Sequence, residues 1–179
     1  MEQWDVYTAD RKKTGRLWTR GTPHTAGDYH MTIHVCVFNA KGEMLVQQRQ
    51  PFKSGWPNMW DLTVGGSAVS GDTSQMAAQR ELSEELGLDI DFTGVRPHLT
   101  IPFEIGFDDY YLVEQEVDLT TLTLQEEEVQ RVAWMTEEAI VNGIKEGWFI
   151  GYHESLIDCC LPFAIVTARI TRHKNKPFR

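Results

Sequence analysis

The sequence predicts an α/β (α+β) fold: an α/β/α sandwich with a mostly antiparallel or mixed sheet. Three observations lead there. A run rich in β-branched and aromatic residues, His30–Phe38, and a partner run, Glu43–Arg49, flank a tight turn and read as a hairpin. A helix with recognisable ends, Thr73–Leu86, falls between strands. A second capped helix, from Glu137 to about Glu146, follows the last strand. Helices that interrupt a set of strands bury their apolar stripes against the faces of the sheet.

The elements follow in order. Residues 1–28 read as an extension before the first clear strand. Gly15, Gly21, Pro23 and Gly27 break any long helix there, and Trp4, Tyr7 and Trp18 give the extension a surface to pack on the body. His30–Phe38 contains MTIHVCVF, and Asn39-Ala40-Lys41-Gly42 turns the chain, with Gly42 suited to a left-handed position. A loop with Pro51, Gly55 and Pro57 precedes a short strand, Met59–Val64, that delivers Gly65 and Gly66. Asp72 is the expected N-cap of Thr73–Leu86, with Gln75 completing a capping box and Gly87 ending the helix. Ala78, Leu82 and Leu86 form its core-facing stripe.

Beyond it, Phe92–Phe103 contains a strand, Gly106–Asp109 turns, and Tyr110–Val117 is a strand. Leu119–Glu128 is an acidic loop and Arg131–Met135 a strand. Thr136 caps the second helix and Gly147 ends it. Glu154–Leu161 is helical, with Pro162 kinking that helix or opening the next. No repeat or low-complexity linker divides the chain. It is expected to be one domain over 1–179, with a core at 29–136 and C-terminal helices and a basic tail at 137–179.

Composition narrows the function. The 179 residues can bury a proper core, and a 41% hydrophobic content excludes a disordered or membrane protein. The longest largely apolar run, Cys159–Val166, is far short of the ~20 residues that span a bilayer. MEQWDVYTADRKK lacks the apolar centre of a signal peptide, and three cysteines, two of them adjacent, make neither a disulfide framework nor a zinc spacing. A cytoplasmic setting is expected. A formal net charge of −9 argues against a nucleic-acid polymer as ligand, while leaving room for a small anion held by a metal and a few cations.

Glu81, Glu84 and Glu85 are spaced i, i+3, i+4, so all three carboxylates share one helix face. Like charges this close repel unless a cation or an arginine offsets them. Mg²⁺ and Mn²⁺ take carboxylate oxygens and commonly bridge to substrate phosphates. The stretch from Gly66 to Leu88 resembles the Nudix box, G-x5-E-x7-R-E-U-x-E-E-x-G-U with U aliphatic. Gly66, Arg80, Glu81, Leu82, Glu84, Glu85, Gly87 and Leu88 all fall in place, and Asp72 stands where that family has glutamate.

The resemblance implies a Nudix-like sandwich with a loop-helix-loop motif and a hydrolase that cleaves a phosphoanhydride bond. It implies Mg²⁺ or Mn²⁺ held by Glu81, Glu84, Glu85 and the Gly65 carbonyl. Arg80 would orient the glutamates, and Gly66, Asp72 and Gly87 would support the loop and helix. A further glutamate from a later loop, matched best by Glu128 in the run Glu126–Glu128, would serve as ligand or general base, with Glu81 as its rival. The expected ligand is a small diphosphate linked to another group, and a homodimer is a family-level expectation.

A second resemblance is narrower. Val37–Asp61 is similar to the subgroup that includes type I isopentenyl-diphosphate isomerase, whose arginine and lysine after the second strand grip the diphosphate. Arg49 and Lys53 match them. That isomerase carries its catalytic cysteine in a V-C-G-H segment, where this chain has Val64-Gly65-Gly66-Ser67. His30 matches another of its metal histidines and His24 lies one residue from a third, but without a partner His30 reads as structural. Cys36 reads as core, and Trp56 and Trp60 read as core in preference to stacking on a substrate ring. Hydrolysis is thus favoured over isomerase chemistry and over a non-catalytic sensing module, because the box glutamates are all present.

Overall fold

The computed structural model describes residues 1–160. In chain order the elements are β1 (Gln3–Tyr7), β2 (Lys13–Thr19), β3 (His30–Phe38), β4 (Met44–Arg49), β5 (Trp60–Asp61), β6 (Val64–Ser67), α1 (Ser74–Leu86), β7 (Leu99–Phe103), β8 (Gly106–Glu114), a 3₁₀ turn (Leu119–Thr121), β9 (Val129–Met135) and α2 (Glu137–Glu146). A last helix covers 154–160. The result is the mixed α/β architecture expected. The described residues form two compact units, one of residues 1–35 and 64–111, the other of 36–63 and 112–160. The strands β3 and β8 each contribute to both.

In the first unit, β1 and β2 pair antiparallel as a separate ribbon, with Gln3 opposite Thr19 and Trp4 opposite Trp18. The supposed extension is therefore ordered sheet. Its glycines mark turns, and its tryptophans pack edge-on with ring centroids 5.4 Å apart. The first part of β3 pairs antiparallel with β6, from Thr32 opposite Ser67 to Val35 opposite Val64. The expected strand Met59–Val64 is thus split in two: β5 ends at Asp61, and β6 carries both glycines within the sheet.

Strands β7 and β8 pair antiparallel from Leu99 opposite Tyr110 to Phe103 opposite Gly106. The turn expected at Gly106–Asp109 is strand, and the chain reverses just before it. Gly106 serves close strand approach: a Cβ there would lie 2.5 Å from the His30 carbonyl oxygen. The His30 N–H donates to Ile105 O at 3.0 Å and Thr32 Oγ1 to Phe107 O at 3.2 Å. Both chains advance together along these bonds, which gives the parallel component of a mixed sheet.

Helix α1 buries Ala77, Ala78, Leu82 and Leu86 as the periodicity requires. Its N-cap is Thr73, one residue later than expected: Thr73 Oγ1 accepts from the Met76 N–H at 3.2 Å. Asp72 does not cap, because its carboxylate is drawn to Arg80. Gly87 closes the helix at φ +67°, where only glycine sits without strain, and its N–H donates to Ser83 O at 3.0 Å.

In the second unit, the end of β3 turns back into β4 with Phe38 opposite Met44. Asn39 Oδ1 fixes that turn by accepting from the Lys41 and Glu43 N–H groups, each at 3.0 Å. Strand β4 is bracketed by β5, with Gln47 opposite Asp61, and β9, with Leu45 opposite Trp134. Cys36, Met44, Leu45, Ile140 and Phe149 are among its fully buried side chains. Thr136 caps α2 and Gly147 ends it at φ +80°, as expected. Leu161, Pro162 and the basic tail lie outside the described residues. Among the described residues no helix is long and apolar enough to cross a membrane.

Candidate active site

The first unit gathers most of the residues singled out in the sequence around one guanidinium. Arg80 Nε donates to Asp72 Oδ2 at 3.2 Å, Nη1 to Glu81 Oε1 at 2.9 Å and Glu84 Oε2 at 3.2 Å, and Nη2 to the Ser67 carbonyl at 3.0 Å. One side chain therefore ties together the loop before the helix, two helical carboxylates and the end of β6. Charge-assisted bonds of this kind are among the stronger ones.

Glycine makes that approach feasible. A Cβ on Gly66 would lie 2.3 Å from the Glu81 carboxyl carbon, so the Glu81 carboxylate rests where any other residue's side chain would begin. Gly65 is equally confined, with a Cβ 2.8 Å from His34 Nδ1. His34 in turn stacks on Tyr110 with centroids 4.6 Å apart. Register explains the placement, since Gly65 and Gly66 stand opposite His34 and Ile33 across the β6–β3 ladder.

The three box glutamates differ in setting. Glu85 is buried at 5% exposure. The Glu84 side chain is half exposed at 53%, and that of Glu81 is 13% exposed. Burial pushes the Glu81 carboxyl above its ordinary range, against the pull of Arg80. Burial also works against the charged Arg80, but Glu81 and Asp72 outweigh it and hold the guanidinium above its ordinary range. The sequence singled out Arg80, Asp72, Glu81 and Glu84, which the structure brings together. It missed the Ser67 carbonyl, which carries no side-chain signal.

A second polar network supports the start of α1. Asp109 is fully buried and accepts from Ser74 Oγ at 2.7 Å, Thr100 Oγ1 at 2.6 Å and Arg11 Nη2 at 2.7 Å. Tyr111 donates to Ser74 Oγ at 2.7 Å. His30 is structural, as expected: it is buried, stacked on Trp4 with centroids 4.5 Å apart, and held down to a pKa of about 4 by burial. His24 Nε2 lies 2.6 Å from the Asp28 carbonyl oxygen.

Among the described residues no three His, Cys, Asp or Glu side chains converge as a ready-made cation cage. The Glu81 and Glu84 carboxylates are turned towards Arg80 instead. Their chemistry nevertheless suits a hard divalent cation: the donors are all oxygen, share one helix face, and meet a glycine that leaves room for the carboxylate. The residues fit such an ion, with Arg80 as the group that must share them.

The second unit holds Arg49, Lys53 and Glu128. Lys53 forms an ion pair with Glu128, so two residues singled out for different roles are each other's partner. Arg49 donates from Nε to Gly55 O at 3.2 Å and lies 3.7 Å from Asp61 Oδ2. The loop between them is tied down by Gln50, whose N–H donates to Glu128 O at 3.0 Å. Trp56, expected in the core, is 57% exposed with φ +50°, a backbone conformation that bulky residues rarely adopt. Trp60 is half-buried beneath the Arg131 guanidinium, 5.2 Å from its ring centroid. Cys36 is core as expected, and Cys160 is buried too.

Comparison with known proteins places the chain in a family. The family model described as the NUDIX domain matches residues 28–153. A protein described as an uncharacterized Nudix hydrolase of Listeria monocytogenes is 47% identical over 152 residues, covering 85% of this chain and 90% of its own. An isopentenyl-diphosphate delta-isomerase of Escherichia coli is 30% identical, covering 68% of this chain and 70% of its own. The crystal structure of DR0079 from Deinococcus radiodurans superposes with a TM-score of 0.73 at 23% identity, covering 89% of this chain and 99% of that one, which bears on the fold.

Proposed function

The chain belongs to the NUDIX family and is a Nudix pyrophosphohydrolase, and from that premise we propose that it cleaves a small diphosphate linked to another group, using Mg²⁺ or Mn²⁺. One observation carries the reading: the Glu81 carboxylate, seated against Gly66 and held by Arg80, is backed by Glu84 and Glu85 on the same helix face. A bound divalent cation supplies charge neutralisation of the phosphates and an acidified water.

The chain's own residues do the rest. Glu81, Glu84, Glu85 and the Gly65 carbonyl would hold such a cation. Arg80 fixes the direction of the Glu81 and Glu84 carboxylates. Glu81, buried against Gly66, would take the proton of the attacking water. Glu128 is the alternative acceptor, and it has to part from Lys53 to act. Arg49 and Lys53 bind the diphosphate oxygens, arginine as a fork and lysine as a point charge. Lys53 would then exchange a carboxylate for a phosphate.

A screen for Mg²⁺- or Mn²⁺-dependent cleavage, read as loss of the intact diphosphate and appearance of its phosphate products, tests the proposal. The panel should hold nucleoside diphosphate derivatives, dinucleotides, CoA and prenyl diphosphates. Glu84→Gln and Glu85→Gln are expected to abolish turnover, and chelation should do the same to the wild type. Glu81→Gln against Glu128→Gln separates the two proton acceptors. If every diphosphate survives with both metals, the hydrolytic reading fails. If Glu85→Gln turns over at the wild-type rate, the metal assignment fails while the activity stands.

A further inference from the structure

We propose that the β1–β2 ribbon, all of which lies before the family-matched residues 28–153, is part of the working site, with Asp5 and Lys13 as positioning residues for Arg80. This rests on the metal-dependent reading above. Loop 70–72 enters α1 and carries Asp72, the one position that departs from the family pattern. The ribbon holds that loop at several points. The Gly71 N–H donates to Asp5 Oδ2 at 3.0 Å, Ser70 Oγ to Asp5 Oδ1 at 3.4 Å, and the Ser70 N–H to Gln3 O at 2.7 Å. Lys13 Nζ bridges Asp5 Oδ2 at 2.6 Å and the Asp72 carbonyl at 3.2 Å.

A physical reason ties these bonds to Asp72. Aspartate is one methylene shorter than glutamate, so its reach to Arg80 depends more closely on where the loop backbone sits. Asp72 Oδ2 does reach Arg80 Nε, at 3.2 Å. Arg80 in turn holds Glu81 and Glu84. The chain of contact runs from Lys13 and Asp5 through Gly71 and Asp72 to Arg80 and then to the two glutamates. Lys13 is 44% exposed, and an ion pair with so much water around it contributes little to stability. Its consequence is placement of the loop. The Arg11 bond to Asp109 anchors the ribbon independently at its turn, so the fold does not rest on Asp5 alone.

The coupling makes a specific prediction. A longer side chain at position 72 should make the ribbon's hold dispensable. Mn²⁺ binding by the full chain, followed by the electron paramagnetic resonance of the free ion, reads this without any substrate. Asp5→Ala is expected to weaken Mn²⁺ about ten-fold, the scale on which partners of metal-holding groups act. Lys13→Met should weaken it in the same direction by a smaller factor. Adding Asp72→Glu to Asp5→Ala should return most of the loss. The inference is overturned if Asp5→Ala binds Mn²⁺ as the wild type does, or if the double variant stays as weak as Asp5→Ala. Should Asp5→Ala fail to fold by circular dichroism, Lys13→Met decides: wild-type affinity there overturns it. A wild type that binds no Mn²⁺ overturns the metal-dependent reading first, and this inference with it.

Discussion

Replacing Gly66 by alanine separates folding from activity with a single methyl group. The new Cβ would lie 2.3 Å from the Glu81 carboxyl carbon and 2.3 Å from its Oε1. Non-bonded carbons settle at about 3.5 Å, so the carboxylate must retreat by roughly 1 Å. The atoms that move are the far end of a flexible side chain, and the helix that carries them keeps its cap at Thr73 and its buried Ala78, Leu82 and Leu86. Stability should therefore change by no more than about 1 kcal/mol, the scale of an off-rotamer side chain. Catalysis should suffer far more, because a misplacement of about 1 Å can cost around 100-fold. The assay is kcat on whichever diphosphate the screen identifies, with a urea melt of the same preparation. The expected result is a kcat reduced about 100-fold and a nearly unchanged midpoint. A variant that keeps kcat within about three-fold of wild type would refute the placement of Glu81 as a group that must sit against β6.

Three further outcomes follow from the same contacts. Thr73→Ala should lose about 1 kcal/mol in a urea melt through its cap to Met76, whereas Asp72→Ala should leave the cap intact and lower kcat by freeing Arg80. Asp109→Ala strips the acceptor from Arg11, Ser74 and Thr100 and should cost about 2 kcal/mol in the same measurement, Arg11 recovering part of its loss in water. His30 stays neutral in the fold to a pKa of about 4, while the unfolded chain protonates it near its ordinary value. Stability is then complete above about pH 6.5 and falls as pH drops towards 4, by roughly 3 kcal/mol from this residue. A His30→Phe variant should flatten that slope in melts between pH 4.5 and 7, and an unchanged slope would assign it elsewhere.

Local chemistry in the chain was legible wherever neighbours in sequence decide the outcome. The hairpin from β3 to β4, the stripe and glycine cap of α1, and the Thr136 and Gly147 ends of α2 all depend on residues within a few positions. The box spacing likewise puts Arg80 beside Glu84, because a helix brings i and i+4 together, and the long guanidinium arm reaches Glu81 as well. The errors came where long-range partners compete with local preference. Asp72 is a better N-cap than Thr73 by type, yet an arginine eight residues on takes its carboxylate. Gly106 and Asp109 look like a turn, yet the glycine admits the His30 carbonyl and the aspartate is paired with Arg11, 98 residues away in sequence. Trp56 is aromatic and so looked like core, but a loop bond pattern leaves it in water.

Residues 1–28 show the same competition most sharply. Their glycines and scattered charges carry no periodicity from which a ribbon could be read. Asp5 and Lys13 acquire meaning only through bonds to Gly71 and Asp72, 66 and 59 residues further along. A motif defined by its own spacing cannot reveal a partner that lies outside it. The departure at Asp72 was the available signal, since a shorter side chain depends more on where its backbone sits. The bond to Arg80 is made, so the groups that hold the loop backbone, Asp5 and Lys13, are where a partner for the shorter aspartate is to be sought.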